Sequence, residues 1–317
     1  ASLEVGPEGT LIGGVGAGSE FSKTGSGTVT VGGLSTVTGR VVVAEGGLAV
    51  GGTLYTNIPI SSGLIYHIDP SHTNTLLFAT DGSVTSVFSQ VGSNVARRWA
   101  YQASYKGPLF LADALNGLPV LDFGSLNSER FLELDQQVSN VRSIFMVFGS
   151  QGGAGFLLGQ RDVTPGSNQP FHRNNTGGYS VYTAPMFEGS YTPENDHIHT
   201  YGVTRQDGVI VNPKTTGFSG GYQVIEIHAS AVTRFQGHAF DRSRTADGTA
   251  PSGILRSGGQ RLGEVAAYDR LLKEDERLQV YNYLRTKWMG QSVAGVRRTG
   301  SAVATELAVR AGAWADL

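Results

Sequence analysis

The chain has no cysteine in its 317 residues, which excludes disulfides and thiolate chemistry and leaves the cellular compartment open. Charge is scarce as well. Charged residues make up 16%, the net charge is −2, and basic residues cluster no further than the pairs Arg97-Arg98 and Arg297-Arg298. Nucleic acid or an anionic membrane would need a concentrated basic patch, so neither is an expected partner. No apolar run approaches the roughly 20 residues that cross a bilayer, so no membrane span is expected. Ala1-Ser2-Leu3-Glu4 lacks the pattern of a leader, which implies that any export signal has been removed or was never included. Glycine, in contrast, is abundant. Its 45 residues are about twice the usual share, which suits short strands joined by tight turns and disfavours a helix-rich body.

Residues 1–55 are built of Gly, Thr, Val and Ser, with short alternations such as Thr28-Val29-Thr30-Val31 and Arg40-Val41-Val42-Val43 between glycine turns. That is the texture of β-solenoid rungs. Lys23-Thr24-Gly25-Ser26-Gly27-Thr28-Val29-Thr30-Val31 resembles the passenger repeat of bacterial autotransporter-type proteins. The chain also resembles itself. Val5 to Leu11 aligns with Val42 to Leu48, and both align with Ala308 to Trp314. A rung cannot bury its apolar face alone and must stack on a neighbour. Residues 56–290 are therefore expected to be an insertion, with a return to repeat-like sequence over 291–317.

Within the insertion, Leu64 to Ile68 alternates as an edge strand that ends at Asp69-Pro70, and Asp81-Gly82 and Asn116-Gly117 mark tight turns. Ser143 to Phe148 reads as a core strand. His197 to Arg205 and Tyr222 to His228 read as further strands, with a hairpin at Gln206-Asp207-Gly208 between them. Leu262 to Tyr268 reads as a strand followed by a helix. There Glu274, Asp275 and Glu276 suit the positive N-terminus, Leu278, Tyr281, Leu284 and Trp288 form the predicted core stripe, and Gly290 is the terminating glycine. Leu64-Ile-Tyr-His-Ile-Asp69-Pro-Ser71, Asn116-Gly-Leu-Pro-Val-Leu-Asp-Phe123 and the segment from Gly263-Glu-Val through Tyr268-Asp-Arg to Tyr283-Leu-Arg-Thr-Lys-Trp288 together resemble the concanavalin A-like (laminin G-like) domains of large bacterial surface proteins. One departure is Lys273, which stands where that family usually places a Ser or Thr helix cap. The resemblance covers about three quarters of the chain and implies an all-β fold: an antiparallel β-sandwich of concanavalin A-like jelly-roll type, with a short C-terminal helix, inserted between β-solenoid-like rungs.

Several residue groups invite a chemical reading. Gly217-Phe-Ser219-Gly-Gly221 fits a nucleophile-elbow pattern, but a β run follows where the elbow needs a helix. His197 and His199, spaced to share one strand face, are candidate zinc ligands, and Glu226 and His228 show the same spacing. Glycosidases of jelly-roll fold carry Glu-x-Asp-x-x-Glu on one strand; Glu133-Leu-Asp135-Gln-Gln137 lacks the third carboxylate, so the expectation is no enzyme. Calcium, common in lectin-like relatives, is a candidate cofactor at Asp69 or Asp81, although each also suits a turn. Arg173, Asn174, Asn175, Tyr179 and Tyr182 supply the aromatic faces and planar polar groups that sugars bind.

The expected role is a non-enzymatic cell-surface or extracellular bacterial module for adhesion or glycan binding. The expected partner is a glycan or a neighbouring surface protein. The alternative is a structural subunit that self-associates through its terminal rungs into a layer, sheath or filament. A weaker alternative is an accessory domain of a polysaccharide-degrading protein.

Overall fold

The structure is a computed structural model that describes residues 58–98, 105–126, 128–150, 201–239 and 257–290. It also describes scattered positions between 151 and 200 and, as backbone strands, parts of 2–50 and 306–316. The chain divides into two compact units, Ala1–Ile58 with Gln291–Leu317, and Pro59–Gly290.

The first unit is made of parallel ladders. Its strands are β1 (Ser2–Glu4), β2 (Thr10–Ile12), β3 (Gly16–Ala17), β4 (Glu20–Thr24), β5 (Thr28–Val31), β6 (Thr36–Val37), β7 (Arg40–Val43) and β8 (Gly47–Val50). β1, β4 and β7 lie side by side, as do β2, β5 and β8, and β3 pairs with β6. Each strand lies beside its counterpart from the next repeat: Ser2 faces Ser22 and Glu20 faces Arg40. Successive repeats therefore hydrogen-bond to one another through the backbone, so the ladder demands β propensity and turn glycines more than particular side chains.

Among its described residues the second unit holds one long α-helix, a short 3-10 helix at Thr73–Thr75 and a large antiparallel sheet. Its strands are β9 (Leu64–Ile68), β10 (Leu76–Phe78), β11 (Val84–Phe88), β12 (Val95–Arg97), β13 (Leu109–Leu115), β14 (Leu118–Asp122), β15 (Leu132–Ser150), β16 (Leu158–Gly159), β17 (Val203–Gln206), β18 (Val209–Val211), β19 (Tyr222–His238) and β20 (Gln260–Tyr268). The helix Glu274–Met289 follows. The two longest strands organise the rest. The later half of β15 pairs with the first half of β19 and with β20, so that Ser143 faces His228 on one side and Tyr268 on the other. The earlier half of β15 pairs instead with β12 and with the end of β19, where Leu132 faces His238. Register shifts between Glu133 and Ser143, with Asn140 at a φ of 60°, mark where β15 changes from one set of neighbours to the other. A single apolar cluster draws on both sets, joining Val84, Val87 and Leu134 to Ile144, Met146, Phe148, Ile225, Ile227 and Val265.

The chain then returns to the first ladders. β21 (Glu306–Val309) lies parallel to β7, with Glu306 opposite Arg40, and β22 (Trp314–Asp316) lies parallel to β8. Ala308 faces Val42, as the internal alignment expects, but Trp314 faces Gly47 rather than Leu48. From Ala308 to Trp314 the chain is thus one residue longer than the alignment with Val42 to Gly47 assumes.

Two expectations about local structure change. His197 and Ile198 lie in a helical turn, and strand structure begins only at Val203, so the predicted strand over 197–205 is shortened. On the long helix the buried stripe is Arg277, Val280, Tyr283, Leu284 and Trp288, while Leu278 is 38% exposed and Tyr281 is only partly covered. The helix is rotated from the apolar prediction because Arg277 finds an acidic partner beneath it. Its N-terminus is closed without a Ser or Thr. Glu276 Oε2 accepts the Lys273 backbone N–H at 2.9 Å, and the Arg270 guanidinium holds the same carboxylate at 2.7 and 2.8 Å. Gly290 ends the helix in the left-handed conformation, φ 62° and ψ 17°.

Candidate functional site

Side chains alternate along β9, β15, β19 and β20, so each strand offers one set to the apolar cluster and another to the helix. The helix-facing set mixes apolar side chains, among them Phe145, Val147 and Val224, with buried polar ones. Glu226 of β19 is fully buried and accepts from Arg277 at 2.8 and 3.1 Å, and Arg277 reaches Glu274 at 2.7 and 2.8 Å with its remaining nitrogens. Glu264 of β20 is also fully buried and has four kinds of donor: His67 Nε2 at 2.7 Å, Lys287 Nζ at 2.8 Å, Trp288 Nε1 at 2.8 Å and Tyr283 Oη at 3.0 Å. Burial alone would raise the pKa of Glu264, but the His67 hydrogen bond and the Lys287 charge outweigh it and hold the carboxyl at about 2. Burial and the neighbouring Glu264 charge push the Tyr283 phenol well up, so it stays a donor. Gly263 makes the close approach possible, because a Cβ there would sit 2.8 Å from Val147 and 3.0 Å from the Trp288 ring.

One part of this seam has the composition of a hydrolytic triad. Ser143 Oγ lies 3.1 Å from His228 Nδ1, and His228 Nε2 lies 3.4 Å from Glu226. Ser143 has no exposed surface, and its oxygen also accepts the Leu272 backbone N–H at 3.4 Å. A substrate carbonyl has no way to this oxygen, so the set acts as packing for the helix and not as a nucleophile.

The residues singled out from sequence fall in different places. Arg173, Asn174, Asn175, Tyr179, Tyr182 and His199 lie outside the described residues. Asp69 is buried and closes its own turn: Oδ1 accepts Ser71 N at 2.9 Å and Ser71 Oγ at 2.7 Å, and Oδ2 receives His72 Nδ1 and Lys287 Nζ. Asp81 likewise takes Ser83 N at 3.0 Å and Ser83 Oγ at 2.6 Å, and these hydrogen bonds lower its pKa. His197 Nδ1 meets Ser230 Oγ at 3.2 Å. Among the described residues no three His, Cys, Asp or Glu side chains converge in a manner that could hold a metal ion. Ser219 is exposed in a turn that leads directly into β19, with Gln223 bonded to its backbone. Glu226 and His228, paired by spacing as candidate ligands, belong instead to the seam under the helix.

A surface groove of about 460 Å³ lies beside the β17–β18 hairpin, walled by Thr200, Thr204, Ile210, Asn212, Pro213 and Lys214. The hairpin turn uses Asp207 and Gly208 at φ 50° and 80°, and Tyr281 and Arg285 of the helix bond to Asp207 at 2.7 and 2.9 Å. The hairpin beside the groove is therefore tied to the helix. Tyr201, between two wall residues, is 68% exposed. Thr204 is 1% exposed, and its Oγ1 has no hydrogen-bond partner. Threonine hydroxyls, an amide and one ammonium, with Lys214 Nζ donating to Thr200 Oγ1 at 2.6 Å, make a mixed polar and apolar lining of the kind that polar ligands use. Sequence reasoning missed this groove because its residues come from a turn, a hairpin and a loop that no single motif spans.

Comparison with protein-family models, with curated proteins and with solved structures gives no match. Among the described residues no helix is long and apolar enough to cross a membrane.

Proposed function

We propose that the chain belongs to an exported bacterial surface protein in which a β-solenoid carries a looped-out concanavalin A-like jelly-roll domain, and that this domain binds glycan or a neighbouring surface protein without chemistry of its own. The observation that carries the reading is the resumption of the parallel ladder. β21 and β22 lie beside β7 and β8, the last strands before the insertion. A large unit spliced into a regular stack without breaking its pairing serves display, because the stack supplies position and the insertion supplies surface. The division of labour between β15 and β19, each serving two sets of neighbours around one apolar cluster, supports the sandwich reading.

Glycan arrays probed with the whole chain test the proposal. Binding should fall about tenfold or more in Lys214→Ala if the groove beside β18 is used. It should fall in Arg173→Ala and Tyr179→Ala if the loop over 173–182 is used. Silence across the array with the wild-type chain would count against glycan binding.

A second reading, assembly into a surface layer or filament, is favoured by β18. It ends the strand order of its sheet, and Val209 and Ile210 on it are 66% and 65% exposed. Such edges pair readily with other chains. Light scattering that grows with time into large ordered species, and that Ile210→Lys suppresses, would support this second reading.

A further inference from the structure

We propose that Lys287 and Asp69 condense to an intramolecular isopeptide bond, with Glu264 as the proton carrier. Lys287 Nζ is in hydrogen-bond contact with Asp69 Oδ2 and lies 2.8 Å from Glu264 Oε2. The Asp69 and Glu264 side chains have no exposed surface, and that of Lys287 is 12% exposed. The Tyr283 and Trp288 rings lie 5.3 and 5.1 Å from the ammonium. An amine, a carboxyl electrophile and a second carboxylate thus meet beside the Tyr283 and Trp288 rings.

The surrounding hydrogen bonds suit acyl transfer. Asp69 Oδ1 already accepts the Ser71 N–H and O–H, which places two donors where negative charge would grow on attack. His72 Nδ1 lies 2.8 Å from Oδ2, the oxygen that must leave. Glu264 takes one proton from the ammonium, and the freed amine adds to Asp69 Cγ. The C–Oδ2 bond then breaks. Oδ2 departs as water with two of the three ammonium protons, one relayed by Glu264 and one passed from the nitrogen of the tetrahedral intermediate. The third remains as the amide N–H. The atoms and charges balance without an oxidant, a cofactor or an activated ester.

In open water a carboxylate and an ammonium do not condense to any useful extent. Two features reverse the balance here. Fixed neighbours react with effective molarities that reach roughly 10⁵–10⁸ M. Condensation also replaces the buried Asp69–Lys287 ion pair, which bears a desolvation penalty, with a neutral amide, while Glu264 keeps its donors His67, Tyr283 and Trp288. Asp69 directly follows β9, at the start of the unit, and Lys287 lies in the last turn of the closing helix. Tension applied at residues 59 and 290 would then run through the covalent bond and bypass the sheet. This inference stands apart from what the domain binds.

Intact mass spectrometry of the denatured wild-type chain is the test. The expected mass is the sequence mass less one water, and a proteolytic digest should yield one branched peptide joining the segments that contain Asp69 and Lys287. Lys287→Arg and Glu264→Gln should run at full mass. Asp69→Asn should form the same bond with loss of ammonia, which keeps a positive signature in a second chain. A wild-type chain at full sequence mass after prolonged incubation in its folded state near neutral pH overturns the proposal, as does a water deficit that maps to any other pair. A Glu264→Gln chain that still loses water overturns the proton route.

Discussion

The two faces of the sheet built from β9, β20, β15 and β19 are both buried, and the buried charges Glu226 and Glu264 lie on the outer one. On the inner face Ile144, Met146, Phe148, Ile225 and Val265 join a continuous apolar cluster, interrupted by neutral polar pairs such as Tyr66 Oη with His238 Nε2 at 2.7 Å and Gln206 Nε2 with Gln223 Oε1 at 2.5 Å. On the outer face the same strands bury Glu226, Glu264 and Ser143 against a helix that contributes Arg277, Tyr283 and Trp288. Apolar contact is tolerant of sliding, because any neighbour of suitable size will do. Buried charges are not, since each must meet its partner at hydrogen-bond distance. The inner face therefore supplies most of the driving force for collapse, and the outer face fixes where the helix docks and how it is rotated.

The largest effects that would test this contrast come from breaking one charge and then both. Arg277→Met alone leaves Glu226 buried without its cation and should cost about 3–5 kcal/mol in chemical denaturation. The double change Glu226→Leu with Arg277→Met removes both charges and should recover most of that loss. Equal destabilisation in the single and double variants would sink the idea that the pair acts as a positioning device. The inner face should behave otherwise. Met146→Ala should cost about 2–5 kcal/mol through a cavity, and no polar second substitution should restore it.

That contrast also decides what could be read from the chain. Elements that depend on local rules were legible: the Asn116-Gly117 and Asp207-Gly208 turns, the acidic first turn at Glu274 to Glu276, and the glycine stop at Gly290. The helix face was not. A rule that seeks apolar residues at helical spacing selects Leu278 and Tyr281, whereas the buried position belongs to Arg277, whose partner Glu226 is distant in sequence. Lys287 was no easier to place, because Asp69 and Glu264 reach it from opposite ends of the unit. The groove beside β18 depends in the same way on how the hairpin and the 212–214 turn approach each other. Composition and periodicity report burial of apolar surface, but they carry no signal for a buried charge that is satisfied across long range.

Acid separates the two faces by pH window. Burial depresses the His238 imidazole from its ordinary 6.5 to about 3, so it is neutral in the folded chain. The unfolded chain binds that proton first as pH falls. The neutral-His contribution to stability is therefore complete above 6.5 and is lost progressively as pH drops toward about 3. Glu264, in its ion-paired form, holds its contribution down to its unfolded value of 4.5 and loses it toward about 2. Stability lost in mild acid should accordingly trace to the inner face, and His238 should keep the NMR signature of a neutral ring from neutral pH down to about 3. A His238 ring that titrates near 6.5 in the folded chain would contradict its sealed environment. Tyr66→Phe, which strips His238 of its partner, should cost roughly 1–3 kcal/mol at neutral pH.

The smallest expected effect concerns the edge of the outer face, at the start of the helix. Lys273 makes no side-chain cap, and the first turn is closed instead by Glu276, gripped by Arg270. Lys273→Ser offers a second acceptor to the free backbone N–H groups and should add roughly 0.5–1 kcal/mol. Because Arg270 and Glu276 already fix the helix origin, the gain should appear in thermal unfolding without changing how the hairpin at Asp207 or any ligand in the neighbouring groove is held. If Lys273→Ser instead destabilised the chain, the Lys273 side chain would be contributing to docking. The helix would then owe its position to its solvent-exposed start as well as to the charges beneath it.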